Sequence, residues 1–189
     1  MNENRYQKRI LTIPNALSFF RICLIPVIVW LYCVKENHTW TTIVLVISGV
    51  TDVVDGFIAR RFGMISDFGK IFDPIADKLT QLVMLCCLLI RFPLMILPLV
   101  VLVIKEFFAG ITGLLTIKKT NKVLGAVWHG KITTLSLYGM MLVHLVWYHI
   151  SDEASHILIG ACTAIMLLSA VLYGIRNMKI LLEKTQTEI

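Results

Sequence analysis

The chain has 189 residues, of which 57% are hydrophobic and only 16% charged, and it carries a net charge of +6. A soluble domain of this length needs no core so large, so the composition excludes an ordinary globular enzyme and points to the membrane. The charge alone would admit a nucleic-acid binder, but the cations flank apolar stretches without interleaved aromatics, so no nucleic-acid partner is expected. Contact with anionic lipid head groups accounts for them.

In chain order, Arg5, Lys8 and Arg9 first alternate with Tyr6, Ile10, Leu11 and Ile13, the pattern of a short amphipathic helix lying on the membrane surface. Pro14 then marks the turn into the first span. Six stretches offer the roughly 20 apolar residues that about 30 Å of hydrocarbon demands. They fall near residues 16 to 35, 41 to 61, 71 to 91, 93 to 117, 129 to 149 and 154 to 180. The expected fold class is therefore all-α: a single membrane domain over residues 1–189, built as a bundle of six transmembrane helices with the short N-terminal surface helix. Arg21 and Pro26 interrupt the first stretch and no small-residue cleavage site follows it, so it is expected to stay as a span.

The basic residues orient this bundle, since short loops rich in Lys and Arg stay on the cytoplasmic side. Twelve of them, including Arg9, Arg60, Arg61, Lys118, Lys119 and Arg176, fall at the N-terminus, in the second and fourth connections or at the C-terminus; the other three connections carry only Lys35 and Arg91. Both termini are thus expected to face the cytoplasm, in a multi-pass protein of the cell membrane. Trp30, Tyr32, Trp40, Trp147 and Tyr148 sit near the opposite ends of their spans, where half-polar rings suit the interface. The five cysteines show no CxxC spacing and are read as small packing residues.

Charged residues inside a bilayer are costly, so each asks for a partner or a task. Asp52 and Asp55 lie three apart late in the second span, and Asp73 and Asp77 four apart early in the third, so each pair shares one helix face at the cytoplasmic side. Four carboxylates held together repel one another unless protons or cations neutralise them. A divalent metal is the simplest partner, and oxygen-only ligation favours Mg²⁺ or Mn²⁺ over zinc. Two such ions can bridge a pyrophosphate and activate a hydroxyl. Gly56, Ala59 and Gly69 leave room for a ligand beside the acids, and Arg60 can reach a phosphate.

The whole run reads Asp52-x2-Asp55-Gly56-x2-Ala59-Arg60-x8-Gly69-x3-Asp73-x3-Asp77, and it resembles the signature of the CDP-alcohol phosphatidyltransferases at every fixed position. The resemblance implies that Asp52, Asp55, Asp73 and Asp77 hold two divalent cations, that Asp77 is also the general base, and that Gly56, Ala59, Arg60 and Gly69 bind the CDP moiety. It implies CDP-diacylglycerol as donor, CMP as leaving group, and possible dimerisation. The segments from Ile13-Pro14-Asn15 through Arg21 and Pro26, and from Asp73 to Lys78, look like those of the bacterial phosphatidylglycerophosphate synthases, which use glycerol 3-phosphate. They also look like the related cardiolipin synthases, which use phosphatidylglycerol. Asn15, Arg21, Lys105 and Lys131 are the candidate contacts to the acceptor and its phosphate. Phosphatidylglycerophosphate synthases usually carry a further Arg in the fourth span, whereas this chain has no arginine between Arg91 and Arg176.

Plainer accounts exist for several of these residues. The aspartates would serve as helix caps, but capping requires neither the glycines nor the spacing. Lys105 and Lys131 would snorkel to the interface. Arg21 would pair with a site aspartate, and Lys78 would merely offset Asp77. His129, His144, His149 and His156 share no ligand spacing, and Asp67 reads as a loop residue. A small cation transporter would also use buried aspartates, but it leaves Gly56, Ala59, Arg60 and Gly69 unexplained.

Overall fold

In the computed structural model, the described residues are 12–62, 67–120 and 128–187. The expected surface helix lies outside them. The rest is all helical, with six α-helices: α1 (Ile13–Val29), α2 (His38–Arg61), α3 (Asp67–Leu89), α4 (Ile96–Thr120), α5 (Trp128–Val146) and α6 (Asp152–Thr187). The chain divides into two compact units, Met1–Cys87 with Leu145–Tyr148, and Leu88–His144 with His149–Ile189.

In the first unit α1 starts at Ile13, so that Pro14, expected at the turn before the span, lies inside its first turn. The Thr12 side chain accepts from the Asn15 backbone N–H at 3.4 Å, and Pro14 occupies the first turn, where no donor is needed. Pro26 removes one backbone donor further along, and the helix widens into a π turn over Trp30–Val34, closed by the Lys35 N–H on the Trp30 carbonyl. Glu36, at φ 49°, then takes the left-handed conformation that ends a helix, and the Asn37 N–H returns to the Leu31 carbonyl. The Asn37 side chain caps α2 by accepting from the Trp40 N–H.

α1 packs along α2. The buried stripe of α1 is Pro14, Ser18, Arg21 and Ile28, and that of α2 is Thr41, Leu45, Ser48 and Asp55. These intervals of three, four and seven keep one face inward. That face is largely polar, whereas Phe19, Phe20, Val27, Val46, Val50, Val53 and Phe57 point outward. Apolar surface outside and polar groups inside is the arrangement a bilayer demands, because lipid satisfies no hydrogen bond.

In the second unit a 3₁₀ turn over Pro93–Met95 leads into α4, which packs along α6. The buried residues of α6, Ser155, Ile159, Cys162, Met166 and Ser169, recur at four and three. These intervals keep one face of α6 inward. A buried polar pair joins α5 to α6: His144 lies with Nδ1 2.8 Å from the Met140 carbonyl and Nε2 3.0 Å from the Ser155 hydroxyl. A carbonyl only accepts, so Nδ1 carries the proton and Nε2 accepts from Ser155.

Among the described residues four helical segments are long and apolar enough to cross a membrane: Ile13–Val34, His38–Ala59, Pro93–Ile111 and Asp152–Arg176. The protein is thus a membrane protein. The apolar part of α5, Gly130–Val146, is shorter. α3 has the length, but every eighteen-residue stretch within Asp67–Leu89 includes Asp73, Asp77 and Lys78. Asp67, expected in a loop, instead opens α3, where an acid suits the positive end of the helix dipole.

Candidate active site

The first unit gathers charge around α1. Arg21 is completely buried, its side chain 0% exposed, and its guanidinium is divided between two carboxylates of α2. Nη1 donates to Asp52 Oδ1 and Nη2 to Asp55 Oδ2, each at 2.6 Å. The three-residue spacing of the aspartates puts both on the face of α2 that meets α1, within the span of one planar fork. Nε of Arg21 is buried without a hydrogen-bond partner among the described residues.

One turn earlier, the Ser18 hydroxyl connects α2 to α3. It stands 3.3 Å from Asp55 Oδ2 and within hydrogen-bond reach of Asp73 Oδ1, and also 3.1 Å from the Pro14 carbonyl. A hydroxyl has a single proton, so it donates to one of these acceptors at a time and keeps the two carboxylates on a common centre. Asp52 and Asp73 both lie within electrostatic reach of Asp55, and Asp77 within that of Asp52. All four sequence-marked acids therefore belong to one neighbourhood.

Their environments differ. The Asp55 side chain is 4% exposed, whereas that of Asp52 is 38% exposed. Asp77 is buried and accepts from Gln81 Nε2 at 2.9 Å, one helical turn on; Lys78 Nζ lies 3.4 Å from Asp77 and from the Gln81 side-chain oxygen. Lys78 thus offsets charge, as its position beside Asp77 indicates. Among the described residues no three His, Cys, Asp or Glu side chains enclose one ion as they stand. The Arg21 guanidinium supplies the positive charge that adjacent Asp52 and Asp55 require.

The remaining marked residues fall as follows. Asn15 is buried on α1, one turn before Ser18. Gly56 and Ala59 are part-buried on α2, directly after the paired acids, and Gly69 is buried on α3, one turn before Asp73. Arg60 is carried by α2; its side chain lies outside the described residues. In the second unit, Lys105 on α4 pairs with Glu106 at 3.1 Å, and Lys131 on α5 is exposed.

Sequence reasoning passed over Ser18 and Gln81. Both left a signal: Ser18 stands midway between Asn15 and Arg21 at helical intervals of three, and Gln81 follows Asp77 by four. A polar residue on the face of a marked one within an apolar helix is a candidate partner.

The CDP-alcohol phosphatidyltransferase family profile matches residues 11–175, most of the chain. The chain belongs to that family. The family match runs through α1, both aspartate pairs and on into α6, so Ser18 and Arg21 lie inside it with the signature. Among individual proteins, this phosphatidyltransferase family member is similar to a Streptomyces coelicolor protein described as cardiolipin synthase (CMP-forming). The two are 42% identical over 85 residues, covering 42% of this chain and 40% of that protein. It is also similar to the CDP-diacylglycerol–glycerol-3-phosphate 3-phosphatidyltransferase of Rickettsia felis, at 32% identity over 112 residues, 58% of this chain and 62% of the other. The protein of that name from Rickettsia bellii is 29% identical over 136 residues, 70% and 75% of the two chains.

Proposed function

We propose that this protein transfers the phosphatidyl group of CDP-diacylglycerol to glycerol 3-phosphate, releasing CMP and forming phosphatidylglycerophosphate, a step of phospholipid biosynthesis. The observation that carries the reading is the convergence of the signature aspartates, in a chain of this family, on the Ser18 hydroxyl and the Arg21 guanidinium. Four acids beside one buried arginine leave negative charge to be neutralised, and an all-oxygen donor set suits Mg²⁺ or Mn²⁺. Asp52, Asp55, Asp73 and Asp77 would hold two such cations, with Asp52 the more exposed of the two Arg21 partners. When bound, the cations would neutralise the pyrophosphate and the charge that develops as the donor bond breaks.

The residues of the chain do the rest. Asp77, held in orientation by Gln81, takes the proton of the acceptor hydroxyl. The freed oxygen attacks the β-phosphorus of CDP-diacylglycerol, and the bond from that phosphorus to the CMP oxygen breaks. Gly56, Ala59 and Gly69 leave space for the CDP moiety, and Arg60 binds its phosphates. Asn15, Arg21, Lys105 and Lys131 are assigned to the acceptor and its phosphate. The Nε of Arg21, without a hydrogen-bond partner among the described residues, is a donor suited to that task.

Six helices would cross the cell membrane, with α3 and α5 spanning beside the four longer apolar helices and both termini in the cytoplasm. Residues 1–189 would act as one phosphatidyltransferase domain, supported by a family match that runs through both units. Pairing into a homodimer belongs to the same reading. The alternative is cardiolipin synthesis with phosphatidylglycerol as acceptor, which one observation favours, the lack of arginine between Arg91 and Arg176. The deciding experiment measures CMP release by the purified protein in detergent with CDP-diacylglycerol and Mg²⁺ or Mn²⁺. Release with glycerol 3-phosphate supports the first reading, release only with phosphatidylglycerol the second, and release with neither overturns both.

A further inference from the structure

Far along α1 from the aspartates, the structure places two sulfurs side by side. Sγ of Cys33, in the π turn that ends the first helix, lies 3.9 Å from Sγ of Cys87 on α3. Both are thiols, Cys33 exposed and Cys87 buried. A second contact shows that this is no isolated brush between side chains. Ser18 meets Asp73 on the same two elements, and Cys33 follows Ser18 by 15 residues while Cys87 follows Asp73 by 14. At about 1.5 Å per residue those steps span about 22 Å and about 21 Å, so α1 and α3 run in one direction with a contact at each end.

We propose that Cys33 and Cys87 form a thiol–disulfide exchange site, a modification site for small disulfides whose closure ties the end of α1 to α3. The order of events follows from position: Cys33 lies one residue before the end of the apolar segment Ile13–Val34, at the polar turn, whereas Cys87 is buried. The Cys33 thiolate, next to the polar turn Lys35-Glu36-Asn37, attacks one sulfur of a small disulfide RSSR and expels RS⁻. The buried Cys87 thiol then attacks the Cys33 sulfur of the mixed disulfide as its proton passes to the departing RS⁻, which leaves as RSH, and the Cys33–Cys87 bond forms. Two protein thiols and RSSR become one protein disulfide and two RSH, so atoms and electrons balance. The sulfurs must approach from 3.9 Å to about 2.05 Å. Cys33 belongs to a π turn at a helix end, where the backbone can shift without breaking a long hydrogen-bonded run. Cys86, the neighbour of Cys87 in the chain, is exposed and points to another face of α3, so it takes no part.

The test uses the full chain in detergent, incubated with oxidised glutathione, then denatured, alkylated and mapped by mass spectrometry. The expected result is a Cys33–Cys87 cross-linked peptide and a fall from five free thiols to three. The variant Cys86→Ser should still form the bond, and Cys87→Ala should leave Cys33 as a stable mixed disulfide with glutathione. Three results would overturn the proposal: five free thiols remaining in the treated protein, Cys33 stalled as the mixed disulfide in the unmutated chain, or a bond from Cys33 to Cys86 or to a second copy.

Discussion

The two units are built from similar apolar helices, yet they handle buried polarity in opposite ways. Where α5 meets α6, the second unit buries a neutral pair, His144 and Ser155, with both ring nitrogens of the imidazole engaged. The first buries a full positive charge on Arg21 against Asp52 and Asp55, adds Asp73 through Ser18, and leaves the Arg21 Nε without a hydrogen-bond partner among the described residues. A satisfied neutral pair fastens helices together. A charge cluster with acids in excess stays dependent on something further to bind, which is why the proposed reaction is placed there.

This contrast can be broken experimentally, and the largest effect should come from removing the metal. Chelation with EDTA should reduce CMP release to background, and added Mg²⁺ or Mn²⁺ should restore it; activity persisting in chelator would remove the two-cation assignment. Replacing Asp52, Asp55, Asp73 or Asp77 singly by Ala should lower turnover at least about a hundredfold, since electrostatic stabilisation of this kind is worth several kcal/mol. Insertion and helix content, read by circular dichroism, should not change.

Arg21→Met leaves Asp55 buried without its cation and should cost about 3 kcal/mol of stability, visible in a denaturation midpoint. Ser18→Ala removes one charge-assisted hydrogen bond, worth about 1.5 kcal/mol, and should slow CMP release about tenfold, with Ser18→Thr recovering most of it. The smallest effect on activity belongs to the second unit. His144→Leu strands the Ser155 hydroxyl and should cost about 1–2 kcal/mol of stability while leaving turnover within about twofold. If His144→Leu abolished turnover and Ser18→Ala did not, the division of roles between the units would be reversed.

Much of the site was legible because membrane burial makes charge conspicuous. Asp52, Asp55, Asp73 and Asp77 stand out in any reading of apolar helices, and their intervals of three and four fix each pair to one face before any packing is known. The family signature added Gly56, Ala59, Arg60 and Gly69. Ser18 was not legible as a partner, since a serine in an apolar helix can satisfy itself on a carbonyl one turn back, as it partly does on Pro14. Arg21 had two open readings, acceptor phosphate or aspartate, and its bonds to Asp52 and Asp55 are what the fold displays.

By itself, then, the sequence determined the helical class and the membership of the acidic cluster, and it located the first two spans to within about three residues of where α1 and α2 begin. These depend on local terms: apolar run length, caps, proline positions and residue spacing along one helix. Only the tertiary structure decided which groups meet from different helices. That Arg21 lies between Asp52 and Asp55, that Ser18 joins α2 to α3, and that Cys33 touches Cys87 all depend on how helices are rotated and set against one another. Such rotations are fixed by the sum of many weak packing contacts, none of which is written at a single position in the chain.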